Sequence, residues 1–257
     1  MSWHSSRTRQ ADRRALRVGE QDVASIRKLL AQCTPEEREA LFRELRSAHQ
    51  IHEFESVIGA PAEMILEAIH RAPELTRRML RGVIADAAFR QYIASRLAAH
   101  GWTDMTPVGN FAYDYKLYDS AGPVTVQIKL QRSERGVPVV RNGLRYGLGS
   151  EVFMTETQKS RSGTDGTDGA GNQTRPYRYG EFDILAVSLQ PSTARWDRYM
   201  FTVGRWLIQG KQPNEVATLQ PVSMTPDEFW TDDFTAAVQW FRTEDGDKRI
   251  ALSRNRR

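Results

Sequence analysis

Between Phe89 and Gln131 the apolar residues change from helical spacing to strict alternation. Phe89, Ile93 and Leu97 recur every four residues, which predicts an amphipathic helix, and Gly101 follows as a stop signal. Alternation of period two then predicts two strands joined by a turn, with apolar faces formed by Phe111, Tyr113, Tyr115 and Leu117 and by Val124, Val126, Ile128 and Leu130. The segment therefore predicts a helix followed by a hairpin that has one apolar and one polar face.

The register of this hairpin decides which polar side chains meet, because a slip of one residue moves every side chain to the other face. We expect Asp119 to pair with Val124 across a four-residue loop at 120–123. In that register Asp114 lies opposite Lys129, so that a carboxylate and an ammonium face each other across the two strands.

The same register places an amide and a carbonyl beside these two groups. Lys116 would face Gln127, and the main-chain carbonyl of Ile128 would lie next to Asp114. Oxygen atoms of this kind are the ligands that hard divalent cations prefer, and a lysine beside such an ion can act on water. The alternative is an ordinary surface hairpin whose Asp114, Gln127 and Lys129 are only solvated.

The order of helix, Gly101-Trp102, strand with Asp114, hairpin and Gln127-x-Lys129 resembles the catalytic core of PD-(D/E)XK nucleases. It is most similar to the Gln-x-Lys variant found in Mrr-like restriction endonucleases. The resemblance implies an α+β fold like that of restriction endonucleases, in which helices flank a mixed central sheet behind an N-terminal helical region.

The resemblance also implies roles for the matching residues. Asp114, Gln127 and the carbonyl of Ile128 would bind Mg²⁺, Gln127 would orient a metal-bound water, and Lys129 would position the nucleophile and offset charge. Gln127 departs from the family pattern, since most members have Glu or Asp there and a neutral amide binds metal more weakly than a carboxylate does.

The activity that the resemblance implies is Mg²⁺-dependent hydrolysis of double-stranded DNA by a homodimeric type II restriction endonuclease. A structure-selective or repair nuclease could be built on the same fold. A DNA-binding regulator that keeps an inactive nuclease-like domain is the alternative from another class.

We expect the chain to have three parts. Residues 1–18 form a basic flexible tail, 19–86 a helical region for DNA binding or packing support, and 87–257 the catalytic domain with a glycine-rich loop at 160–175. Thr34, Pro35 and Glu37 predict the start of one of the N-terminal helices. Nucleases of this fold often use a further acid on a helix, and the sequence alone does not choose between Glu67, Glu74 and Asp86.

Basic residues in two parts of the chain are candidates for phosphate contacts. One group lies on a predicted helix, and the other flanks the glycine-rich loop: Arg77, Arg78 and Arg81, and Lys159, Arg161, Arg175 and Arg178. Arginine and lysine on such surfaces bind DNA through its phosphates. A solvated helix face and a surface insertion explain the same residues without a ligand.

Composition narrows the class of protein. A net charge of +4 and a pI near 9.3 fit an anionic partner. Cys33 is the only cysteine, which excludes an internal disulfide, and no apolar run approaches the roughly 20 residues of a membrane span. The glycines at 160–175 do not form a dinucleotide fingerprint, so no organic cofactor is expected. We expect a cytoplasmic protein.

Overall fold

The computed structural model describes residues 20–109, 111–159, 176–243 and 248–252. Its α-helices are α1 (Glu20–Gln32), α2 (Pro35–Ala48), α3 (Phe54–Ile58), α4 (Ala62–Arg71), α5 (Glu74–Phe89), α6 (Ser95–Ala98), α7 (Gln190–Thr193) and α8 (Phe234–Arg242). A π-helical segment, Arg90–Ala94, joins α5 to α6, and 3₁₀-helices lie at Gly143–Tyr146 and Gly204–Trp206.

The strands form three sheets. They are β1 (Thr103–Asp104), β2 (Tyr115–Asp119), β3 (Gly122–Leu130), β4 (Ser133–Glu134), β5 (Val137–Pro138), β6 (Val140–Asn142), β7 (Glu151–Glu156), β8 (Ile184–Ser188), β9 (Tyr199–Val203) and β10 (Leu219–Ser223). The largest sheet has the order β1-β2-β3-β8-β9, and only its β3–β8 pairing is parallel. The smaller sheets have the orders β10-β7-β6 and β4-β5.

The central sheet is buried on both faces. Val124, Val126 and Ile128 of β3 pack with α5 and α8 on one face, and alternate residues of β8, Leu185 and Val187, pack on the other face with residues of β7 and β10. All five residues of β8 are buried, as expected for a strand inside a sheet that is covered on both sides. The predicted α+β class, a mixed central sheet flanked by helices and preceded by a helical region, is confirmed.

The predicted register of the β2–β3 hairpin is wrong by two residues. Asp119 pairs with Gly122, not with Val124, so the loop contains only Ser120 and Ala121. Gly122 has φ of 116°, a conformation that glycine adopts without a steric penalty and that permits so tight a connection. The predicted four-residue loop had included Gly122 and Pro123, but both belong to β3.

Because the shift is an even number of residues, the polar residues keep their face and change their partners. Lys116 pairs with Thr125 and not with Gln127, and Tyr115 pairs with Val126. Continuing this register brings Asp114 level with Gln127, two residues before Lys129, which was its predicted partner on β3.

The described chain divides into two compact units, one up to Ala72 and one from Pro73 onwards. The predicted boundary between residues 86 and 87 falls inside α5. The physical reason is that Ala85, Ala88 and Phe89, at the end of α5, are buried in the core beneath the central sheet. The whole of α5 therefore belongs to the second unit.

The first unit consists of α1 to α4. Thr34 caps α2 as predicted: its hydroxyl accepts from the N–H of Glu37, and the Glu37 carboxylate accepts from the N–H of Thr34. Between residues 21 and 72 none of the side chains that the structure describes is buried. In the described ranges, no helix has both the length and the apolar character that crossing a membrane demands.

Candidate active site

Asp114 lies just before β2 and is held by the main chain of β3. Its own N–H donates to the carbonyl of Val126 at 2.9 Å, and its Oδ2 accepts from the N–H of Ile128 at 2.7 Å. Oδ2 also accepts from Nε2 of Gln127. These bonds hold the Asp114 carboxylate beside Gln127 and Ile128, in the C-terminal half of β3.

The amide of Gln127 occupies the centre of the site. Gln127 is buried, and its Nε2 donates both to Asp114 and to the carbonyl of Ile128, the latter at 3.1 Å. Its Oε1 accepts from the hydroxyl of Tyr177 at 3.0 Å. Both N–H groups of the amide and its oxygen are therefore directed at groups of the site.

Lys129, two residues after Gln127 on β3, contacts the same tyrosine as Gln127 does. Its Nζ donates to the hydroxyl of Tyr177 at 3.2 Å and to the carbonyl of Gln158 at 3.4 Å. The ammonium also lies 5.1 Å from the centre of the Tyr177 ring, within the range of a cation–π contact. Tyr177 thus links the amide of Gln127 to the amine of Lys129.

Burial changes the protonation of this group of side chains. Desolvation raises the pKa of the Asp114 carboxyl above its ordinary value, against the opposing effects of the Ile128 N–H and the Lys129 ammonium. Desolvation lowers the pKa of the Lys129 amine, against the opposing charge of Asp114. The two opposite shifts bring the pKa of the Asp114 carboxyl and the pKa of the Lys129 amine closer together.

The oxygen atoms at the site suit one hard cation. Oδ2 of Asp114 and the carbonyl oxygen of Ile128 share a single donor, the Nε2 of Gln127, so the amide nitrogen stands between two unprotonated oxygens. Rotating the Gln127 amide by half a turn exchanges its oxygen and nitrogen. Oε1 then lies between the Asp114 and Ile128 oxygens, and Nε2 donates to the Tyr177 hydroxyl, which can also accept. With the amide in that orientation, a carboxylate, a carbonyl and an amide oxygen could hold a hard divalent cation such as Mg²⁺.

This set contains a single carboxylate, that of Asp114. Within the residues that the structure describes, no group of three or more His, Cys, Asp and Glu side chains is suited to hold a metal. The site differs in this respect from centres in which several carboxylates bind two ions side by side.

The three candidate acids on helices, Glu67, Glu74 and Asp86, have different partners. Glu67 forms an ion pair with Arg71, and Glu74 forms ion pairs with Arg77 and Arg81. Asp86 is half-buried near the end of α5, and its negative charge contributes to raising the pKa of Asp114. Of the three, Asp86 is the acid that interacts with the site.

The α5 arginines lie beside the strand that carries Lys129. Arg78 and Arg81 line a cavity of about 140 Å³ together with Leu130 to Glu134, which directly follow Lys129 in the chain. Arg81 pairs with Glu74 at 3.4 Å and Arg77 with the same carboxylate at 3.2 Å. Arg78 is exposed, and among the described residues it forms no ion pair, which leaves its guanidinium available for a phosphate.

The residues that flank the glycine-rich segment are placed differently from one another. Lys159 pairs with Glu181 at 2.6 Å and lies 5.6 Å from the centre of the Tyr177 ring, at the edge of the site. The backbone of Arg178 forms a bridge with Glu215, and its N–H donates to the Glu181 carboxylate at 2.9 Å. Arg161 and Arg175, with the predicted loop at 160–175, lie outside the described residues.

Sequence reasoning missed Tyr177 and Arg132. Tyr177 is buried and joins Gln127 to Lys129, yet it comes 48 residues after Lys129 and follows a segment without periodicity. Arg132 lines the same cavity as Arg78 and pairs with Glu134 and Glu156. Only the isolated position of a tyrosine next to the glycine-rich segment could have pointed to the first of these.

Comparison with protein-family models and with curated proteins gives no match to this sequence. Comparison of folds gives a distant similarity to a bacterial homing endonuclease, I-Ssp6803I, with a TM-score of 0.31 and 21% sequence identity. The match covers 49% of this chain and 68% of the endonuclease. At this level of similarity, the activity has to be inferred from the chain's own residues.

Proposed function

We propose that the chain is a Mg²⁺-dependent endonuclease that hydrolyses phosphodiester bonds in double-stranded DNA, and that it acts as a type II restriction enzyme. The observation that supports this most directly is the convergence of the Asp114 carboxylate, the Ile128 carbonyl and the Gln127 amide next to the amine of Lys129. The arginines beside β3 supply positive charge for the DNA backbone.

Asp114, the carbonyl of Ile128 and the turned amide of Gln127 would hold the ion. When bound, Mg²⁺ supplies Lewis-acid stabilisation of the charge that develops on the phosphate and favours ionisation of water. Asp114 must be ionised to contribute, and the Ile128 N–H and the Lys129 ammonium both favour its ionised form.

Lys129 takes the part of the proton acceptor and charge-bearing group. Its Nζ has a lowered pKa, so the neutral amine forms more readily than in an exposed lysine and can take a proton from the attacking water. The water oxygen then bonds to phosphorus, the bond to the leaving ester oxygen breaks, and that oxygen leaves with a proton from solvent. Once protonated, Lys129 offsets the negative charge of the phosphate group.

A single site with one carboxylate cuts one strand at a time. We infer that two copies of the chain act together, so that each site cuts one strand of the duplex. A cytoplasmic location stays part of the proposal, because a chain with Cys33 as its only cysteine needs no oxidising compartment for folding.

Substitution of the two charged residues tests the activity. We expect Asp114→Ala and Lys129→Ala to abolish cleavage of phage DNA in the presence of Mg²⁺, while DNA binding and the circular dichroism spectrum stay close to those of the wild type. Lys116→Ala is the matched control, because Lys116 lies on the neighbouring strand, pairs with Thr125 and has its ammonium 5.5 Å from the ring centre of Tyr118. Full activity of Lys129→Ala with Mg²⁺ would refute the assignment.

Two other functions give different results in the same assay. A structure-selective or repair nuclease would prefer branched or damaged DNA to intact phage or plasmid DNA, which assays of these substrates side by side would reveal. A DNA-binding regulator is favoured by the presence of only one carboxylate and of the neutral Gln127 at the site. It would bind one sequence without a metal and cut no DNA with any divalent ion.

A further inference from the structure

The helices α1 and α2 expose their apolar faces. In α1, Val23 and Ile26 lie one turn apart, and Leu29 is 63% exposed. In α2, Leu41, Phe42 and Leu45 follow the same spacing and are also exposed. On a helix that packed against its own chain, such a stripe would be the buried face.

In α3 the exposed apolar side chains follow the same spacing, whereas the two of α4 lie on different sides of that helix. Neither contains a buried residue, and their exposed apolar side chains are Phe54, Val57, Ile58, Met64 and Leu66. Isolated helices of five to fourteen residues are marginal in water, because their stability comes from packing an apolar face. A unit of four such helices requires a surface that covers these side chains.

DNA does not match this surface. Between residues 20 and 72 the sequence contains ten acidic and six basic side chains, a net charge of −4, whereas the whole chain carries +4. A net negative charge repels the phosphate backbone. This charge argues against DNA, and the exposed apolar side chains point to a protein surface as the partner.

The area of the apolar surface agrees with a dimer interface. Fully burying an aliphatic side chain removes about 60–120 Å² from water, so eleven half-exposed apolar side chains offer several hundred Å². A standard interface buries about 800 Å² on each partner, including its polar rim. Glutamate and arginine alternate along α2, with the ion pairs Arg43–Glu39 within it and Arg46–Glu63 to α4, so the rim carries both signs of charge.

We propose that the N-terminal helices α1 to α4 form a dimer interface with the same helices of a second copy of this chain. The inference deepens the proposed function by naming the surface through which the two copies associate. It rests on the proposed function only in one respect, that two active sites are needed to cut the two strands of a DNA duplex. The exposure and the charge of the helices are independent of cleavage.

Sedimentation equilibrium of the full chain without DNA tests the interface. We expect the wild type to have twice the 29.3-kDa mass of the chain. Ile26→Glu and Phe42→Glu place a charge in the apolar surface, and we expect each to raise the dissociation constant of the dimer at least tenfold. Gln21→Glu is the matched control on α1, since it adds the same charge to the side of the helix opposite Ile26 and should leave the dimer intact.

A second measurement needs no substitution. Cys33 is the only cysteine and lies directly after α1, so one spin label marks the proposed interface in each copy. We expect electron–electron distances within the range of pulsed dipolar spectroscopy for the wild type, and their disappearance on dilution below the dissociation constant.

Two outcomes would overturn the inference. One is a wild type that remains a monomer at its highest soluble concentration, and the other is a dimer that Ile26→Glu, Phe42→Glu and Gln21→Glu leave equally intact while all three remain helical by circular dichroism. A stable dimer that cuts no DNA would overturn the proposed function and leave the interface standing.

Discussion

Tyr177 is the residue on which the arrangement of the site depends. Its hydroxyl donates to Gln127 at 3.0 Å and accepts from Lys129 at 3.2 Å, so a single oxygen positions both the amide and the amine. Desolvation raises the pKa of this hydroxyl well above its ordinary value, which keeps it protonated and able to donate at any working pH. Tyr177 is therefore a positioning residue, and it is chemically inert in its own right.

Removal of this hydroxyl should slow cleavage without unfolding the protein. We expect Tyr177→Phe to reduce the single-turnover rate about 10- to 100-fold, the usual effect of removing a group that orients active-site ligands. The Lys129 ammonium would also lose an acceptor, so its pKa should fall further and the pH–rate profile should move to lower pH.

Tyr179→Phe is the control for this change. The Tyr179 hydroxyl donates to the carbonyl of Leu207 at 2.9 Å and has no contact with Gln127 or Lys129. We expect it to leave both the rate and the pH profile unchanged. Equal rates and profiles for the two variants would show that Tyr177 does not position the site.

At the residue scale, alternation in the sequence placed Asp114, Gln127 and Lys129 on one face of the hairpin. It did not predict which of them touch, because a shift of register by two residues preserves the face and changes every pair. The hydrogen bond that Asp114 accepts from the Ile128 N–H follows from the tight turn at Gly122, and the pattern of polar and apolar residues does not specify the length of that turn. The role of Tyr177 was not predicted, because Tyr177 lies 50 residues after Gln127 in the chain and no local pattern joins them.

At the scale of elements, the end of the β2–β3 hairpin is fastened to the last helix. Both Asp119 oxygens accept from Arg242 of α8, each at 2.7 Å, and Arg242 also donates to the carbonyl of Gly122 at 3.0 Å. The bond to Arg242 lowers the pKa of the Asp119 carboxyl below its ordinary value. A two-pronged pair of this kind restricts the turn that sets the register of the site.

Breaking this pair should destabilise the protein in a pH-dependent way. We expect Asp119→Asn to lower the free energy of unfolding at neutral pH by about 1 kcal/mol, or the Tm by about 2–4 °C. Because the pKa is lowered in the folded state, the stabilisation is present above the ordinary Asp pKa of about 4 and disappears as the pH falls through the folded value. Thermal unfolding followed by circular dichroism across this range measures the difference.

Asp197→Asn serves as the comparison. Asp197 pairs with Arg195 only two residues away, and the arginine is 55% exposed, so the pair joins no separate elements. Its loss should change the Tm very little. An Asp119→Asn variant with the same Tm as the wild type at neutral pH would show that the Asp119–Arg242 pair contributes nothing to stability.

At the scale of the whole molecule, positive charge is concentrated outside the N-terminal helices. Residues 20–72 carry −4, while the chain as a whole carries +4. Arg78 on α5 is the exposed arginine that lines the cavity beside β3 and forms no ion pair with the described residues. It is therefore the residue from which a phosphate contact is most readily expected.

Salt dependence distinguishes a phosphate contact from a structural arginine. In EDTA, we expect Arg78→Ala to weaken binding of duplex DNA and to reduce the slope of log K against log salt by about 1, since one counterion fewer is released. Arg77→Ala is the neighbouring control, because Arg77 is already paired with Glu74 at 3.2 Å and should change the slope less. Equal slopes for the two variants would remove Arg78 from the DNA interface.

Sequence patterns predicted the order of the large elements. The helix before Gly101, the hairpin and the buried strand near Ala186 all lie where the periodicity places them. The sequence boundary between residues 86 and 87 and the division of contacts at Ala72 differ, because the apolar residues of α5 do not reveal which side of the helix meets the sheet. The exposed faces of α1 to α4 were equally hidden, since an amphipathic pattern looks the same with and without a covering surface.

The mixed pairing of β3 has a consequence for the time course of folding. Asp114, Gln127 and Ile128 are separated by at most 14 residues and come together as soon as the hairpin closes. Tyr177 and the parallel neighbour β8 are about 50 residues further along, and long loops close late. Lys129 therefore acquires its final environment, the Tyr177 hydroxyl and the Gln158 carbonyl, only after the chain that follows the hairpin has folded.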